Sequence, residues 1–153
     1  PLKATVKYPL AVASVFLWIG FVGAISFMEA WIKFRAPGIT IPLGLGIGKL
    51  VFGALNIVEW ILAILLLADL IAKKDEIFTS RNLWFFVPLI LLTLQTIWFL
   101  PALDVRADMY IQTDGVGMTT SYLHFYYVGI EIIKMVCLLI FGVKLFKPDT
   151  CPT

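Results

Sequence analysis

The chain has 153 residues, 61% hydrophobic and 14% charged, with a mean hydropathy of +0.96 and a formal net charge of +2. Such a composition excludes a water-soluble bundle, which would have almost no polar face to turn to solvent. It also excludes nucleic acid as a partner, because the few cations flank apolar stretches instead of gathering into a basic surface.

Residues 8–28 and 83–103 each run 21 positions without a charge. A helix crossing a bilayer needs about 20 apolar residues. Residues 47–71 and 122–143 are as long but carry ionisable groups within them. The pattern predicts an all-α integral membrane four-helix bundle forming a single transmembrane domain over residues 1–153. Its helices are expected at about 9–34, 47–71, 83–101 and 122–144, in the plasma (inner) membrane.

The first span is read as a permanent helix. Its apolar run exceeds the roughly 7–15 residues of a signal-peptide core, and no small-residue cleavage site follows. Ser26, Glu29 and Lys33 share one of its faces. The segment "APGITIPLGLGIG" then reads as an apolar turn that lies on or dips into the membrane. On the second span Lys49, Asn56 and Glu59 form one stripe at helical spacing, and Asp69 stands alone near the other end. Gly44, Gly46, Gly48 and Gly53 offer close helix contact. The loop "KKDEIFTSRN" only solvates the surface. The third span contributes Gln95 and is expected to end at Pro101. The polar stretch 102–121, with a turn at "TDGVG", would form a loop or lid.

The fourth span, "SYLHFYYVGIEIIKM" onward, holds the only histidine of the chain. His124, Tyr127, Glu131 and Lys134 fall within a stripe about 80° wide at 100° per residue. Its triplet His124, Glu131, Lys134 repeats the offsets of Lys49, Asn56, Glu59, a faint sign of two related hairpins.

Seven cations (Lys3, Lys7, Lys73, Lys74, Arg81, Lys144 and Lys147) fall on one side of the bundle. Four (Lys33, Arg35, Lys49 and Arg106) fall on the other. The positive-inside rule places both termini in the cytoplasm. Lipid cannot satisfy polar side chains, so the stripes should face one another. They meet in the outer half, as an outward-opening pocket of Glu29, Asn56, Glu59, Gln95, His124, Tyr127, Glu131 and Lys134. Three glutamates there confront one deep cation. The expected pairing is Glu59 with Lys134, leaving Glu131 protonated, hydrogen-bonded to Asn56 or Tyr127, or bound to a cation.

His124 and Glu131, two turns apart on one face, are candidate metal ligands, with Glu29 or Glu59 opposite. The Glu-x-x-His pairs of di-iron bundles are missing, and one histidine excludes bis-histidine haem. Cys137 and Cys151 form no CxxC pair, and no phosphate-binding loop, HExxH or GxSxG occurs. No cofactor is expected on this reading; a metal ion or a bound lipid or quinone are the candidates the pocket could take. Three functions fit. The first is binding or translocation of protons, a cation or a small solute, which in so small a bundle calls for a homo-oligomer. The second is an accessory or assembly subunit of a larger membrane complex. The third is a small enzyme acting on a lipid or quinone. Of these the non-enzymatic readings are preferred, with the lipid bilayer as the constant partner.

Overall fold

A computed structural model describes residues 6–74, 78–118 and 122–146. Lys3, Lys147 and Cys151 lie outside the described residues. Those described form four long helices and no strand. Helix α1 spans Pro9–Arg35, α2 Ile41–Ala72, α3 Leu83–Thr113 and α4 Leu123–Leu145. Three of them, α1, α2 and α3, are long and apolar enough to cross a membrane. The remaining one, α4, carries His124, Glu131 and Lys134.

Consecutive helices pack side by side, and α4 returns to α1, so the four close into an up-and-down ring. We call the end where α1 and α3 finish, and α2 and α4 begin, the upper end. In the lower half the interior is mainly apolar, built around Val15, Trp18, Leu66, Phe85, Leu138 and Phe141. Leu50, Ile57, Ile64, Ile90 and Ile133 point outward and are exposed. That inverted surface is what a hydrocarbon solvent demands.

Two boundaries differ from the sequence expectation. Helix α2 starts at Ile41 rather than 47, because Thr40 caps it: its Oγ1 accepts from the Leu43 N–H at 3.4 Å, and Pro42 sits in the first turn, where no N–H is needed. The second half of the apolar loop is therefore helix. Helix α3 runs past Pro101 to Thr113, so residues 102–113 are no loop or lid. A proline ring clashes with the carbonyl four residues back. Here that residue, Ile97, lies in a widened π-helical stretch, Gln95–Phe99. The wide turn accommodates the ring and the helix continues. Helix α3 ends where the turn was expected: Asp114 adopts a left-handed conformation (φ 50°), followed by Gly115 at 76°.

A second π-helical stretch, Gly23–Glu29, interrupts α1. At the lower end, the Asp69 carboxylate of α2 accepts from the Ala11 N–H of α1 at 2.8 Å. A buried acid thereby caps a helix 58 residues distant and satisfies one of the first-turn amide donors that have no partner within the helix. Of the glycines, Gly44 packs on the Phe34 ring and Gly48 on the Lys33 ammonium, both of α1, whereas Gly46 and Gly53 meet nothing. The close contact that Gly44 and Gly48 permit is between α1 and α2.

Candidate functional site

Each helix sends one or two polar groups to a single point in the interior. Lys134 of α4 is fully buried, and its ammonium pairs with Glu59 of α2. It also donates to Gln95 Oε1 of α3 at 2.7 Å and to Glu131 Oε1, one turn earlier on α4, at 3.0 Å. Its three protons are thus all used. Gln95 Nε2 donates to the same Glu131 oxygen at 2.6 Å, so the amide bridges cation and carboxylate. The Trp18 indole of α1 donates to Glu59 Oε1 at 2.7 Å. Glu59, Gln95, Glu131 and Lys134 are each no more than 1% exposed.

Two carboxylates therefore surround one ammonium. Each uses one oxygen, and Glu59 Oε2 and Glu131 Oε2 have no hydrogen-bond partner among the described residues. Ser26 Oγ, buried in the π-helical stretch of α1, has none either. Tyr127 is buried beside Glu131.

The expected pairing of Glu59 with Lys134 is present. Other expected members lie elsewhere. Asn56 does not reach Glu131; its amide donates to Thr96 Oγ1 at 2.9 Å, as does the Trp60 indole. Glu29 pairs with Lys33 on its own helix at 3.1 Å, near the upper end. His124 is exposed at the start of α4, away from the buried Glu131. The two do not form a metal site, and among the described residues no three His, Cys, Asp or Glu side chains gather as a ligand set. The donors at the centre are instead an ammonium, two carboxylates and an amide, and the ammonium already occupies the place a cationic ligand would take.

The centre is also closed, not open as the sequence suggested. Above it the Tyr127 and Phe52 rings pack edge to face, with centroids 5.5 Å apart. Beyond Phe52 lies a cavity of about 270 Å³, bordered by Lys33, Phe34, Lys49, Leu103, Asp104 and His124. One layer of aromatic rings thus separates an upper cavity from the buried charges. The upward continuation of α3 forms the far wall and is held to α2 by Lys49 and Asp108, 2.6 Å apart.

Sequence reasoning missed Trp18, Thr96, Asp104 and Asp108. A lone tryptophan in an apolar run carries no periodic signal, and the two aspartates were assigned to a loop. Thr96, next to Gln95, could have been found, because it also falls on the inward side of α3. Set against protein-family models, curated proteins and solved structures, the chain matches none.

Proposed function

We propose that the chain crosses the plasma membrane four times with both termini in the cytoplasm, and that it binds and translocates protons through the Glu59–Lys134–Glu131 centre. The length of α4 supports the fourth span: 23 residues reach about 34 Å, enough for a hydrocarbon layer of about 30 Å. The excess of cations on the loops of the lower end supports the orientation.

The observation that carries the reading is the two-to-one ratio of carboxylates to ammonium, with one oxygen of each carboxylate unpartnered in full burial. A net negative charge in a low-dielectric interior is costly. A proton shared between the two acids neutralises it, and the upper cavity lies one ring layer away as its route to the outer face. A single chain encloses the centre without a continuous path, so translocation calls for an oligomer or a motion of the Phe52–Tyr127 layer.

Proton flux in vesicles carrying an internal pH dye, driven by a potential, tests this. The wild type should acidify or alkalinise the lumen, and Glu131→Gln should abolish the flux while Glu29→Gln leaves it intact. Equal flux from Glu131→Gln would refute the assignment. A second reading is favoured by the complete use of the Lys134 protons: the centre as a structural bolt in an accessory subunit of a larger complex. In that case none of the vesicles shows flux, and Glu131→Gln changes only the melting temperature.

A further inference from the structure

The upper cavity is separate from the buried centre and has its own chemistry. All four helices contribute to it: Lys33 and Phe34 from α1, Phe52 from α2, Leu103 and Ala107 from α3, and His124 from α4. Its walls are mostly apolar. Its most telling member is Lys33. This side chain is only 9% exposed, yet among the described residues its ammonium makes one hydrogen bond, to Glu29, and so has two donors to spare. The ammonium is held in place by the Phe34 and Phe52 rings, each 5.5 Å away, and by the bare backbone of Gly48. Nearly buried donors of this kind are ordinarily satisfied. His124 borders the same cavity as Lys33 and makes no hydrogen bond among the described residues.

The charge around the cavity narrows what those donors can take. Lys33 and Lys49 stand against Glu29, Asp104 and Asp108, with Asp104 the carboxylate left over once the two pairs are formed. An anionic head group would meet that surplus carboxylate. A cation offers no acceptor to Lys33 and faces two ammoniums. An uncharged acceptor oxygen on an apolar body satisfies both conditions. The volume, about 270 Å³, suits one substituted ring or a short chain end rather than a whole lipid.

We propose that the upper cavity is a binding site for the uncharged carbonyl head of an amphipathic lipid, with the carbonyl oxygen accepting from Lys33 and the body lying against Phe34, Phe52 and Leu103. A quinone ring and a glycerol ester share this chemistry, and the test tells them apart. The site does not depend on proton movement at the centre.

Purified protein in detergent micelles is titrated by calorimetry with four probes: a short-chain benzoquinone, a medium-chain monoacylglycerol, decanoate and a decyl trimethylammonium ion. The quinone or the ester should bind, and whichever does so more tightly names the source of the carbonyl. Lys33→Met, which removes the donor, and Ala107→Phe, which fills the cavity from α3, should each weaken that binding at least tenfold. Lys33→Arg should retain most of it. Two independent variants guard against a folding defect, and melting curves are recorded for both. Tighter binding of decanoate or of the ammonium ion than of either carbonyl probe would overturn the proposal. So would carbonyl binding that neither variant changes, or no carbonyl binding to the wild type.

Discussion

At the scale of single residues, Lys134 governs the interior. It sits where hydrocarbon tolerates no isolated charge, and three acceptors from three helices use all its protons. Lys134→Met leaves Glu59 and Glu131 buried without their cation. The expected loss is about 3–5 kcal/mol, read as a lowered unfolding midpoint in detergent. Adding Glu59→Gln should recover much of that loss, since it removes one stranded charge. If the double variant is no more stable than the single one, the coupling is absent. Asp69 belongs to the same scale. Asp69→Ala strips an N-terminal cap from α1, and such losses cost about 1–2 kcal/mol; amide exchange in the first turn of α1 should accelerate locally.

The same residues show what could be read in advance. The Glu59–Lys134 pair was legible because both positions fall ten residues into stripes on α2 and α4, which start at the same end, and helical rise alone brings them to one depth. Glu29 and His124 stand apart from the buried centre for one reason: both fall on inward-turned stripes, but near helix ends, where a side chain can pair locally or reach water. Glu29 takes Lys33 four residues on, the cheapest partner available. Periodicity gives direction around a helix and says little about which of several competing partners wins.

At the scale of elements, the four long helices were legible from apolar length, whereas their ends were not. Pro101 is the instructive case. The rule that proline ends a helix assumes regular α-geometry before it, and the π-helical stretch Gln95–Phe99 removes that assumption. No propensity predicts such a widening. Similarly, the glycine-rich start of α2 reads as a turn until the Thr40 cap and the packing of Gly44 on Phe34 are known. That packing makes a prediction. A Cβ on Gly44 would overlap the Phe34 ring, which must then shift, so Gly44→Ala should destabilise by about 1–3 kcal/mol. Gly46→Ala, where a Cβ meets nothing, should be neutral or slightly stabilising. Melting temperatures of the two variants in one detergent decide this; equal values would mean that α1 and α2 are not in close contact at that point.

At the scale of the whole molecule, the proposed orientation has a direct check. Phe78 lies in the loop between α2 and α3, and Val116 in the turn after α3; they are 94% and 78% exposed. In a background of Cys137→Ala and Cys151→Ser, a cysteine at 116 should react with an impermeant maleimide on intact cells. One at 78 should react only after permeabilisation. The reverse pattern would invert the bundle and move the upper cavity to the cytoplasmic side.

The unequal lengths of the helices also shape the surroundings. With 32 and 31 residues, α2 and α3 reach about 48 Å and 46 Å, some 12–14 Å more than α4. A membrane therefore meets a tall wall along one flank of the protein and a short one along the other. Acyl chains must stretch beside the first and thin beside the second, or the whole body must lean until the two edges match. Bilayer thickness thus becomes a variable that acts on this protein. Lipids of graded chain length should change its lean, and with it the exposure of the Lys49–Asp108 tie that fastens the two tall helices together above the ring layer.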